Sequence, residues 1–158
     1  MVDFKYSVDI LLVEDNLNDA ELVSRALRVN NLAINIFHVE DGSAALDVLF
    51  HKGEYEKRRS YNTLKLILLD IKLPKINGLE VLKLIKEDNR TKHIPVVMLT
   101  SSGEVADIEL AYDLGANGFV VKPVDAVKLS HHIKGLAMYW LRINLIRNVK
   151  ENSTVSKN

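Results

Sequence analysis

An α/β fold, a doubly wound parallel sheet of five strands with helices on both faces, is what three observations on this 158-residue chain predict. Apolar runs at Val8 to Val13, Leu64 to Leu69, Val96 to Leu99 and Phe119 to Val121 have the length of strands buried on both sides. Stretches of helical period separate them. Each run closes on a polar signal: Glu14-Asp15, Asp70, Thr100, or Lys122-Pro123. Ligands in open α/β sheets bind outside the carboxyl ends of the strands, so these closing residues fall on one common edge.

The elements follow in order. A strand near 8–14 leads to a helix near 18–30, where Leu17, Ala20, Leu22, Val23, Ala26 and Leu27 recur at helical spacing, with Asn16 or Asn18 as cap. A second strand, about 33–39, alternates Ile34, Ile36 and His38 against Asn35, Phe37 and Val39. Asp41-Gly42-Ser43 opens a helix through about residue 51. Residues 53–63 have no period and many charges, which predicts a long exposed loop. The third strand ends at Asp70, and Pro74 with Asn77-Gly78 bends the chain into a helix near 79–89 carrying Leu79, Val81, Leu82 and Ile85. The fourth strand follows Pro95 and ends at Thr100. Ser101-Ser102-Gly103 leads to a helix closed by Gly115, a normal C-terminal glycine. The fifth strand, about 117–121, meets Lys122-Pro123, and a long helix starts near Ala126. One domain over residues 1–148 is expected, followed by a polar, disordered tail over 149–158.

Composition narrows the function. Lys plus Arg number 21 and Asp plus Glu 21, so no net field recruits nucleic acid or an anionic membrane. Lys57-Arg58-Arg59 is the compact basic cluster, and a solvated loop explains it. The absence of cysteine excludes a disulfide framework, thiol chemistry and Cys-ligated zinc. No signal peptide and no apolar stretch of about 18 residues is present, so the cytoplasm is the expected compartment. His131-His132 are adjacent on a helix and face different directions, a poor arrangement for a metal.

The strand-end residues carry the chemistry. Glu14 and Asp15, with Asp70 arriving from another strand, concentrate negative charge that a hard divalent cation relieves, and magnesium suits such carboxylates. Any one of them alone would read as a cap or turn residue. Asp70 can attack phosphorus to form an acyl phosphate, with a cation and a lysine neutralising the transferring oxygens. Lys122 is placed for that role. A lysine at a strand end can also snorkel to solvent, and a cis bond to Pro123 is one way to aim it inward. Thr100 offers a hydroxyl at the same edge, or simply ends a strand. Phe119, three residues before Lys122, reads on propensity as a core aromatic.

Taken in order, Glu14-Asp15, Asp70, Thr100, Phe119 and Lys122-Pro123 resemble the receiver domain of two-component response regulators, over about residues 8–140. The resemblance implies a flavodoxin-like fold and a signalling protein that accepts a phosphoryl group on Asp70 from a sensor histidine kinase or phosphotransfer protein. It implies magnesium held by Asp15, Asp70 and the Lys72 backbone carbonyl, with Glu14 acting through water. Thr100 would move toward the phosphoryl group and Phe119 would change rotamer with it. The 53–63 stretch and the run from Gly135 to Leu141 are similar to the single-domain regulators paired with phytochrome-type kinases. Lys72 is a departure, because the family often carries a neutral or acidic residue there. Its ammonium would either compete at the site or point to solvent.

Other readings fit less well. An aspartyl-nucleophile phosphatase commonly carries a second acid two residues after the nucleophile, where this chain has Lys72. A flavin or nucleotide module needs a glycine- or hydroxyl-rich phosphate loop after the first strand, and Glu14-Asp15-Asn16-Leu17-Asn18-Asp19 would repel phosphate. A receiver that binds partners without phosphorylation would not need the intact site.

The last helix, from about 126 to 148, would be roughly 34 Å long at about 1.5 Å per residue, more than strands of about 20 Å can cover. Leu129, Ile133, Leu136, Trp140 and Ile143 form a stripe for the sheet. Met138, Leu141 and Leu145 lie roughly opposite, which predicts a partner surface: a homodimer through this helix, or docking of the kinase or a downstream target.

Overall fold

A computed structural model of the chain describes residues 8–28, 33–57 and 64–146. Five parallel strands, β1 (Ile10–Val13), β2 (Ile36–Val39), β3 (Leu66–Leu69), β4 (Val96–Thr100) and β5 (Gly118–Val121), alternate with helices α1 (Leu17–Arg28), α2 (Gly42–Leu49), α3 (Gly78–Glu87), α4 (Val105–Asp113) and α5 (Ala126–Met138). The order across the sheet is β2-β1-β3-β4-β5. The winding therefore reverses between β1 and β3, and the crevice of such a sheet opens at that reversal.

Strand alternation builds two apolar layers. Leu11, Val13, Ile67, Leu69, Val96 and Met98 pack with α2, α3 and α4. Ile10, Leu12, Leu66, Leu68, Val97 and Leu99 pack with α1 and α5. All residues of β1, β3 and β4 are buried, as expected where helices cover both faces. All the helices except α4 start where a side-chain oxygen meets an orphan amide donor: Asp41 accepts from Ala44 N at 2.8 Å, Asn77 from Leu79 N at 2.8 Å and Asp125 from Lys128 N at 2.9 Å. For α1 the cap is Asn16, whose Oδ1 accepts from Asp19 N at 3.0 Å. Gly115 ends α4 at φ +100°, and Ala116 N donates back to Ala111 O at 2.9 Å.

Register carries the site. Val13 pairs with Leu69, so the next residues on the two strands, Glu14 and Asp70, leave the sheet side by side. Thr100 pairs with Val121, which brings Lys122 to the same edge, and Lys122 N donates to Thr100 O at 2.7 Å.

Three expectations are corrected. The regular part of the last helix stops at Met138 rather than near 148, and a π turn over Tyr139–Ile143 follows, closed by Asn144 N on Tyr139 O at 2.6 Å. A π turn spaces its bonds five residues apart and shifts the helical face. Leu141 consequently packs half-buried against the α1/α5 layer, while Ile143, expected on the sheet side, is 63 % exposed. Secondly, the loop after α2 is not uniformly open. Gly53–Tyr55 form a 3-10 turn, and Tyr55 packs edge-on against Phe37 with centroids 5.9 Å apart. Residues 58–63, including Arg58 and Arg59, and the tail over 149–158 lie outside the described residues. Thirdly, no peptide bond among the described residues is cis, so Lys122 is aimed by the strand register and not by a cis Lys122–Pro123 bond.

Candidate functional site

Glu14 ends β1 with its side chain inside the fold, and its residue is 1 % exposed. Oε1 accepts from Asn16 N at 3.1 Å, and His38 Nε2 donates to the Glu14 carbonyl at 2.7 Å. Asp70 is 5 % exposed, and its Oδ1 accepts from Ile71 N at 2.7 Å. Asp15, by contrast, faces outward. One oxygen from each of Glu14, Asp15 and Asp70 nevertheless lies within 4.8 Å of the others, a donor set of hard anionic oxygens suited to a divalent cation.

Lys122 closes the cluster. Its Nζ donates to Glu14 Oε2 at 2.7 Å, Asp19 Oδ2 at 2.9 Å and Asp70 Oδ2 at 3.3 Å, and its side chain is 7 % exposed. An ammonium has three donors, and all three are used here. Burial pushes the Glu14 carboxyl up to about 7, against the lowering by the Lys122 hydrogen bond, and the Asp70 charge adds to the rise. Burial pulls Lys122 down, but the bonds to Glu14 and Asp19 and the Asp70 charge outweigh it and hold the ammonium above its ordinary range.

The loop from β3 to α3 is held rigidly beside Asp70. Gly78 N donates to Ile71 O at 2.8 Å, Gly42 N to Pro74 O at 3.4 Å, and Lys75 pairs with Asp41 at 3.1 Å. A Cβ on Gly78 would lie 1.9 Å from the Asp70 carbonyl oxygen, so only glycine lets α3 start so close to this residue. Lys72 sits in this loop with an exposed side chain that makes no ion pair among the described residues. Its carbonyl accepts no hydrogen bond there either, which leaves that oxygen available to a cation.

Thr100 is fully buried, and its Oγ1 accepts weakly from Ser102 N at 3.5 Å. Phe119, opposite Met98 in β5, is half-buried against the layer that includes α4. The sequence reading missed two partners. In the sequence Asp19 reads only as part of an acidic run, although its position three residues after the Asn16 cap puts it on the first turn facing the strand ends. His38 carried no sequence signal beyond an alternation in β2.

Among the described residues no helix is long and apolar enough to cross a membrane. The family model of the response regulator receiver domain matches residues 10–134. Response regulator Rcp1 of Synechocystis sp. is 39 % identical over 132 residues, covering 84 % of this chain and 88 % of that protein. The fold superposes on the phosphorylated cyanobacterial phytochrome response regulator RcpA with a TM-score of 0.83 at 37 % identity, covering 89 % of this chain and 99 % of that one. The Mn(2+)-bound form of Rcp1 superposes with a TM-score of 0.82 at 36 % identity over the same shares of the two chains. With the β2-β1-β3-β4-β5 sheet and the strand-end cluster already in place, these matches establish that the chain belongs to the response regulator receiver domain family and is a two-component response regulator.

Proposed function

We propose that Asp70 is the phosphoryl acceptor and that Glu14, Asp15, Asp70 and the Lys72 carbonyl hold magnesium beside it. The observation that carries this reading is the convergence of Lys122 Nζ and three carboxylates on one strand-end crevice, with Lys122 3.3 Å from Asp70 Oδ2. Asp70 Oδ2 attacks the phosphorus of a phosphohistidine, the P–N bond breaks, its electron pair stays on the imidazole, and an acyl phosphate forms. Magnesium, when bound, neutralises charge on the transferring oxygens. Lys122 shifts its donor from Asp70 to the incoming phosphoryl oxygen, Thr100 turns its hydroxyl toward that group, and Phe119 changes rotamer as β4 adjusts. Later attack of water on phosphorus returns Asp70 and releases phosphate, so the domain promotes its own phosphorylation and slow dephosphorylation.

The phosphoryl donor is a sensor histidine kinase or phosphotransfer protein. The likeness to RcpA, named for a cyanobacterial phytochrome, supports a kinase of the phytochrome type. The exchange takes place in the cytoplasm, and output passes by protein contact, including a homodimer through the C-terminal end of α5, or by onward phosphotransfer. The test is intact mass after incubation with acetyl phosphate and magnesium. One added phosphoryl group, lost in Asp70→Asn because an amide is a poor nucleophile, is the expected result. Labelling that survives in Asp70→Asn would move the nucleophile elsewhere.

A further inference from the structure

We infer that Asp19 is a positioning residue for Lys122: it receives the ammonium when a divalent cation and a phosphoryl group claim Glu14 and Asp70. The inference rests on the reading that Glu14, Asp15 and Asp70 bind such a cation.

Asp19 lies outside that three-residue cluster, and its Oδ2 is 2.9 Å from Lys122 Nζ, nearer than Asp70 at 3.3 Å. The local backbone directs it there. An acid at the third position of a helix ordinarily reaches back to the amide of the capping residue. Here that amide, Asn16 N, already donates to Glu14 Oε1 at 3.1 Å, while Asn16 Oδ1 takes the Asp19 amide at 3.0 Å. The Asp19 carboxylate is left for Lys122.

The consequence is electrostatic. Glu14 and Asp70 each give one oxygen to Lys122, so ammonium and cation compete for the same carboxylates. Asp19 offers the ammonium a place that costs the cation nothing. At 32 % exposure its side chain is wetter than Glu14 at 2 % or Asp70 at 7 %, so it can keep the lysine as the deeper acids turn to the metal. Without Asp19, Lys122 closes on Glu14 and Asp70, and the cation has to displace it against a site that is also less negative.

Calorimetric titration of the full chain with magnesium alone tests this. Asp19→Asn is expected to raise the magnesium dissociation constant three- to tenfold, and Asp19→Glu to recover at least half of that change on a logarithmic scale. Glu21→Gln, an exposed acid on the same helix paired with Arg25, controls for net charge and should shift the constant less than twofold. The decisive comparison is a double-mutant cycle, in which Asp19→Asn in a Lys122→Ala background loses most of its effect. An equal fold-change with and without Lys122 would mean that Asp19 acts through its own charge, and the inference would fall. So would an unchanged constant in Asp19→Asn. A parent chain that binds no magnesium would instead overturn the cation reading, and this inference with it.

Discussion

Lys122 is the residue on which the site balances. Among the described residues it is the one ammonium paired with Glu14, Asp19 and Asp70, and two of those acids are nearly inaccessible to water. Removing one partner of a buried pair costs about 3–5 kcal/mol because the other charge is stranded. Glu14, raised to about 7 by burial, can take up a proton and soften that loss. Lys122→Ala should therefore lower stability in chelator by about 1–3 kcal/mol, a fraction of the full buried-pair cost. Magnesium should then restore more of the thermal midpoint than it adds to the parent, since the cation no longer competes with an ammonium. Phosphorylation should slow at saturating magnesium. Thermal melts with and without magnesium check the first two outcomes, and an unaltered midpoint in chelator would mean that Lys122 does not balance the acids. Lys72 raises the reverse question. Its side chain is exposed and so reads as a solvent lysine, and in the proposed site only its carbonyl would face the cation.

At the scale of elements, glycines separate what holds the fold from what holds the site. Gly115 closes α4 at φ +100°, and a Cβ there would meet Lys86 Cγ at 3.1 Å. Gly78 opens α3 against the Asp70 carbonyl at 1.9 Å from where a Cβ would stand. Gly115→Ala strains the backbone and should cost about 1–3 kcal/mol. Gly78→Ala forces atoms apart and should cost about the same, about 1–3 kcal/mol or somewhat more. Only Gly78→Ala should also slow phosphorylation by acetyl phosphate, because the displaced group is the backbone of Asp70. Equal rates in the two variants, compared at matched folded fractions, would detach Gly78 from the chemistry. Sequence reading reached Gly115 because helix period stops there, but it reached Gly78 only as a bend, since a close approach between distant segments leaves no local pattern. The same limit explains the other differences. Buried strands and the order of their closing residues are written as continuous apolar runs, so the sheet edge carrying Glu14, Asp15, Asp70, Thr100 and Lys122 was legible. Asp19 depended on which acceptor the Asn16 amide chose, a competition settled only in three dimensions. The π turn was hidden because Tyr139–Ile143 has the composition of a helix that simply continues.

For the whole molecule, the π turn changes which residues a partner would meet. Leu141 is turned toward the α1/α5 layer, so it no longer belongs to an outward strip with Leu145. Met138, Ile143 and Leu145 are exposed by 42 %, 63 % and 95 %, and Tyr139 beside them by 48 %. Apolar side chains clustered at one end of a molecule mark an interaction surface more often than singly scattered ones do. A two-fold dimer covers such a patch with a second copy of itself. Each aliphatic side chain fully buried contributes about 1.5–3 kcal/mol, so several on each subunit can offset part of the entropy lost on association. The full chain should accordingly sediment as a dimer at micromolar concentration, and Ile143→Glu/Leu145→Glu should sediment as a monomer with an unchanged thermal midpoint, because both residues are exposed. Leu141→Glu should behave differently, lowering the midpoint by burying a charge in an apolar layer. A parent that stays monomeric at high micromolar concentration would sink the dimer. Loss of kinase coupling in Ile143→Glu/Leu145→Glu would then assign the same patch to a different protein.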